Sequence, residues 1–68
     1  MKGYSIYVFQ TKNEKVAWFA TLTDAQNYVD LIMSEYYDRT TIHTIVRVVD
    51  NRTSKTVYMD KNYEAEEC

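Results

Sequence analysis

The chain has 68 residues with 8 basic and 10 acidic side chains, one cysteine, one histidine, one glycine and no proline, which is the material of one small domain. A single Cys with a single His excludes an internal disulfide and a structural zinc site, and Gly3 as the sole glycine excludes a phosphate-cradling glycine loop. Without Glu64, Glu66 and Glu67 the remaining 8 basic and 7 acidic side chains nearly cancel, so the body is close to neutral and reads neither as a general nucleic-acid binder nor as an acidic DNA mimic.

Residues 4–10, YSIYVFQ, are rich in β-formers and predict a first strand. Tyr4, Ile6 and Val8 share one face, and Ser5, Tyr7 and Phe9 share the other. Bulky groups on both faces mark either a central strand or a face used for binding. Thr11 to Glu14 is polar, with Asn13 the residue best suited to φ > 0. A second strand follows over residues 15–20, with Val16 and Trp18 opposed to Ala17 and Phe19, and the short connection makes the pair an antiparallel hairpin.

Residues 21–38 predict the one helix. Ala25, Tyr28, Val29, Ile32, Met33 and Tyr36 form a continuous apolar stripe, while Asp30, Ser34, Glu35 and Asp38 take the remaining surface. Thr23 is the expected N-cap, with Asp24 at the first helical position and Gln26 completing a capping box. No glycine closes the helix near Tyr37, Asp38 and Arg39. Residues 40–50 then alternate as a third strand, with Ile42, Thr44, Val46 and Val48 facing the core and His43, Ile45, Arg47 and Val49 facing away. Asp50 to Ser54 is the clearest turn, and residues 55–61 return as a fourth strand.

The expected fold class is α+β: a ββαββ domain over residues 1–61, with a four-stranded, mostly antiparallel sheet and the helix packed on one face. Residues 62–68 read as an acidic, frayed tail, with Tyr63 able to pin its start. One helix covers one face of the sheet. The opposite face, assigned here to Tyr7, Phe9, Phe19, His43, Ile45 and Arg47, or to the alternate residues of each strand with the faces reversed, is too apolar for plain solvent and therefore marks an interface.

Chemistry is thinly represented. His43 has no nucleophile or orienting carboxylate near it in sequence, so an interface histidine is the simpler reading than a general base. Cys68 sits in an acidic terminus that raises a thiol pKa, which argues against a nucleophile. The helix carboxylates are explained by the helix dipole and a solvated face. No catalytic residue, metal site or cofactor is expected. No signal segment is visible and no apolar run approaches ~18 residues, so a cytoplasmic protein is expected.

Protein binding accounts for the most features. Tyr7, Phe9, His43, Arg47, Arg52 and Tyr58 are the expected partner-binding residues, being aromatic and arginine side chains of the kind that dominate interface energetics. An exposed edge strand offers a second route, adding to a partner's sheet or pairing with a second copy, and a third reading is a homodimer whose open face is covered by its twin. The alternative from another class is a small nucleic-acid binder stacking bases on the same aromatic residues, with Arg47, Arg52, Lys55 and Lys61 on phosphates.

The hairpin, then Phe19-Ala20-Thr21-Leu22-Thr23-Asp24-Ala25-Gln26-Asn27-Tyr28 opening a helix, then another hairpin, resembles small single-domain proteins encoded by bacteriophages. Inhibitors of host RNA polymerase and some anti-CRISPR proteins share this size and mixed sheet. The resemblance implies a stoichiometric blocker of a host protein, acting in the host cytoplasm. It carries over no functional residue.

Overall fold

The computed structural model describes residues 2–37 and 43–62. The expected order is the observed one: β1 (Tyr4–Phe9), β2 (Asn13–Phe19), α1 (Leu22–Glu35), β3 (Ile45–Asp50) and β4 (Lys55–Lys61). The four strands form one antiparallel sheet in the order β2-β1-β3-β4, with α1 across one face. β2 and β3 run parallel to each other with β1 between them, so α1 acts as a crossover that inserts the second hairpin beside β1.

The buried core lies between helix and sheet. Ala25, Val29, Ile32 and Met33 of α1 meet Ile6 and Val8 of β1 and Val46 and Val48 of β3. Tyr4, Ala17, Phe19, Leu22, Tyr28, Tyr37 and Tyr58 surround this cluster, and the Phe19 and Tyr28 rings pack with centroids 5.1 Å apart. The 14-residue helix spans roughly 21 Å at about 1.5 Å per residue, close to the length of the six-residue central strands beneath it.

Several local expectations change. Thr21, not Thr23, is the N-cap: its backbone is extended and its Oγ1 accepts the Asp24 N–H at 3.2 Å. Asp24 therefore sits at the third helical position, still in the first turn where its charge favours the dipole. The stripe ends earlier than its periodicity suggests. Tyr36 is the C-cap and 70% exposed, while Tyr37 packs against the core, because the chain leaves helical geometry at this point and the 100° rotation per residue no longer applies. Asn13 belongs to β2 opposite Phe9 rather than to a left-handed turn position. The third strand begins at Ile45; the expected helix end at Asp38 and Arg39, and the strand start at residues 40–42, lie outside the described residues, as do Tyr63 and Cys68.

Two side chains of asparagine hold the ends of the sheet. Asn62, read above as the first tail residue, is part of the fold. Its Oδ1 accepts the Thr44 N–H at 2.8 Å, its Nδ2 donates to the Tyr37 carbonyl at 2.7 Å, and its own N–H donates to the Thr44 carbonyl at 3.2 Å. At the other end Asn51 accepts the buried Ser5 hydroxyl at 2.8 Å, and its backbone N–H donates to the Gly3 carbonyl at 3.0 Å. The adjoining turn is shaped by Asp50, whose Oδ1 accepts the Arg52 N–H and whose carbonyl accepts the Ser54 N–H, with Ser54 at φ 60°. Among the described residues, no helix is long and apolar enough to cross a membrane.

Candidate interaction face

Strand pairing sets the side chains on the face away from α1 into three cross-strand rows. Trp18, Ser5, Val49 and Thr56 form the first; Lys15, Tyr7, Arg47 and Met59 the second; Asn13, Phe9, Ile45 and Lys61 the third. Rows two residues apart lie roughly 7 Å from each other and strands about 4.8 Å, so the face has a footprint on the order of 400 Å². Phe9 is 43%, Trp18 48% and Met59 54% exposed, although each is large and apolar. Three large apolar side chains are thus exposed on one uncovered sheet face, around the half-buried Tyr7, Arg47 and Ile45.

At its centre the Arg47 guanidinium lies over the Tyr7 ring, 5.9 Å from the ring centroid, and its Nη2 donates to Asn13 Oδ1 at 3.1 Å across β1. The cation–π contact and the hydrogen bond restrain a long, otherwise flexible side chain. At the far corner Trp18 Nε1 donates to the Lys2 carbonyl at 3.0 Å, and the indole lies against Gly3 so closely that a Cβ there would fall 2.5 Å from three ring atoms. Two of the aromatic groups are thus fixed by their neighbours.

Charge is divided between the two sides. Lys15, Arg47 and Lys61 stand in open-face register, and no Asp or Glu does among the described strand residues. Glu14, Asp50 and Asp60 occupy the opposite register, paired with Val8, Tyr4 and Val46, where Lys55 opposite Asp50 is the one basic side chain among the described strand residues and α1 adds Asp24, Asp30 and Glu35. The net charge of −2 conceals this division.

Tyr7, Phe9, Ile45 and Arg47 are brought together as expected from alternation. Phe19 and Tyr58 are not with them. Phe19 pairs with Tyr4 and packs on Tyr28, because the break in register between Ile6 and Tyr7 aligns Ala17 and Phe19 with the core-facing residues of β1 and turns Trp18 outward. Tyr58 pairs with buried Val48 and donates its hydroxyl to Asp30 Oδ1 of the helix at 2.8 Å. That hydrogen bond, followed by partial desolvation and the charges of Asp30 and Asp60, raises its pKa above the ordinary tyrosine value. His43 is exposed ahead of β3, and Arg52 lies in the β3–β4 turn at the opposite end of the sheet, beside Lys2, Tyr4 and Asp50. These two residues do not share one contact surface.

Trp18, Lys15 and Met59 are among the open-face residues absent from the expected set. Their alternation within each strand is legible, but which parity faces outward depends on the irregularities in both hairpins. Those irregularities also bear on the sheet edges. β2 and β4 each carry one unpaired residue, Val16 and Val57, and both edges carry lysines, features that disfavour continued strand pairing.

Among the described residues, no three His, Cys, Asp or Glu side chains are grouped to hold a metal ion. No protein family, curated protein or solved structure matches the chain.

Proposed function

We propose that this chain is a non-catalytic protein-binding module that docks through its open sheet face and works by occlusion. In this reading it is a stoichiometric inhibitor of a larger protein, of the kind bacteriophages use against host machinery in the bacterial cytoplasm. The observation that carries the reading is the exposure of Trp18, Phe9 and Met59 on the uncovered sheet face around Arg47. The composition of this face, with Tyr7 and a restrained Arg47 at the centre, Trp18 and Phe9 toward the ends and lysines on the outer strands, matches the residue types of an interface. The bulged, lysine-bearing edges favour the face over strand addition. A second copy is disfavoured as the occupant, because a two-fold contact brings Arg47 and Lys15 against like charges with no open-face carboxylate among the described strand residues to offset them.

The test is capture from bacterial lysate on N-terminally tagged protein, with and without nuclease, beside a Phe9→Ser/Met59→Ser variant. The expected result is one stoichiometric protein that survives nuclease and is lost with the double variant. Recovery abolished by nuclease would replace this reading with nucleic-acid binding on the same face. A partner retained by the folded double variant would place docking elsewhere on the molecule.

A further inference from the structure

We infer that the open face receives carboxylates: the partner surface it fits is an acidic protein segment that sets Asp or Glu beside apolar or aromatic side chains. This rests on the docking reading above and specifies its partner. The central observation is the posture of Arg47. Its guanidinium stands over Tyr7, 5.9 Å from the ring centroid, and is tied at one nitrogen to Asn13, and its other donors have no partner among the described residues. A planar, pre-oriented guanidinium is the group best matched to a carboxylate, since little side-chain entropy remains to be lost on forming a bidentate pair. Lys15 stands in the same cross-strand row, two strands away and roughly 10 Å from Arg47, with no partner among the described residues. Phe9, Ile45 and Met59 flank the pair, so a carboxylate docked there is bordered by apolar surface that a neighbouring aromatic group can cover.

The same geometry separates an acidic protein from a nucleic acid, which also brings negative charge. Base stacking needs open ring faces. Arg47 stands over one face of Tyr7, and Trp18 lies with its ring against Gly3. Ile45, Val49 and Met59 fill much of the remaining patch with aliphatic surface, which stacks poorly on bases but packs well against protein side chains. The carboxylates of the opposite side would meet a polyanion that wrapped around the sheet. A short acidic segment confined to the face avoids them.

The experiment titrates the full chain with defined polymers and follows the emission of Trp18, its only tryptophan. The probes are a random glutamate–tyrosine copolymer, poly-glutamate, poly-lysine and a 15-nucleotide oligo-dT. The inference expects saturable binding of the copolymer, weaker binding of poly-glutamate and none of poly-lysine. It expects at least a tenfold loss of copolymer affinity for Arg47→Glu, and a loss of a few-fold each for Arg47→Lys and Lys15→Ala. Arg47→Lys keeps the charge and the sheet packing, so it serves where Arg47→Glu is not folded by circular dichroism. Tighter binding of oligo-dT than of the copolymer, no saturable copolymer binding, or an affinity unmoved by these substitutions would each overturn it. If lysate capture depends on Phe9 and Met59 but is unchanged by Arg47→Glu and Lys15→Glu, the docking face stands and the carboxylate inference falls.

Discussion

Gly3 is where a single methyl group tests both the backbone and the open face. Its φ of +87° lies in the region that L residues rarely adopt, and its Cα is covered by the Trp18 indole. Gly3→Ala carries a conformational cost of about 1 kcal/mol from the positive φ. The new Cβ would sit 2.5 Å from Cε2, Cζ2 and Nε1 of Trp18, so the ring must retreat by about 1 Å to reach normal contact near ~3.5 Å. Trp18 is half exposed and has room to swing outward, which limits the clash to what the movement forfeits. The loss is the Nε1 bond to the Lys2 carbonyl, about 0.5–1 kcal/mol at an exposed site, and the packing of one ring face, about 1 kcal/mol for ~40 Å² of apolar surface. The expected destabilisation is about 2–3 kcal/mol. Because a domain of this size holds only a few kcal/mol in total, and urea slopes for small domains are about 1 kcal/mol per molar, the midpoint should fall by about 2–3 M. Urea unfolding followed by circular dichroism measures this, with the tryptophan emission maximum reporting the ring. In a Trp18→Ala background the same glycine substitution should cost only the backbone term, about 1 kcal/mol. A Gly3→Ala protein within 0.5 kcal/mol of the parent, or one equally destabilised with and without Trp18, would refute the reasoning.

Asn62→Ala leaves the Thr44 N–H and the Tyr37 carbonyl without their side-chain partner, and should cost about 2–3 kcal/mol in the same assay; a negligible change would return Asn62 to the tail. Thr21→Ala should cost about 1 kcal/mol and Thr23→Ala distinctly less, with the reverse order restoring the cap to Thr23. Ser54→Gly should be neutral to stabilising by up to about 1 kcal/mol, since it removes a side chain from a residue at φ 60°, and clear destabilisation would contradict the turn geometry. The raised pKa of Tyr58 means that the folded state favours its protonated form. The stabilising contribution is thus complete below the ordinary tyrosine pKa of about 10 and is lost as pH rises through the folded value. The stability gap between parent and Tyr58→Phe, measured across alkaline pH, should therefore close as pH rises; a gap independent of pH would show that the Asp30 contact is not formed.

What could be read from the sequence followed from two periods. Alternation at two residues and a stripe near 3.6 specify strands and helix whatever surrounds them, so the ββαββ order and the core-facing Val46 and Val48 were legible in the sequence, while β1, with bulky groups on both faces, left its buried side open. The Asp50–Ser54 turn was equally clear, because its residue types act through their own backbone. Local ambiguity began where a residue type fits two neighbouring positions. Thr21 and Thr23 are both competent caps, and only the direction in which the chain leaves β2 toward the core selects Thr21. Asn62 looked like a tail residue because its partners, Thr44 and Tyr37, are 18 and 25 positions away.

The uncovered face was legible as an inference of number, one helix being too little to cover both sides of a sheet. Its membership was not. A one-residue irregularity in a strand reverses the parity of everything beyond it, so the bulge opposite Ile6 and Tyr7 alone sends Trp18 outward and Phe19 inward, and the helix then takes Tyr58 through Asp30. The charge division has the same origin: the chain as a whole records only a balance, and pairing sorts Lys15 and Arg47 to one side and Glu14 and Asp60 to the other. By itself the sequence determined the kinds of surface this protein carries, because those depend on residue types at short spacing. Only the tertiary structure decided which side chains share a surface, because that depends on register between strands whose pairing partners are set by the whole fold.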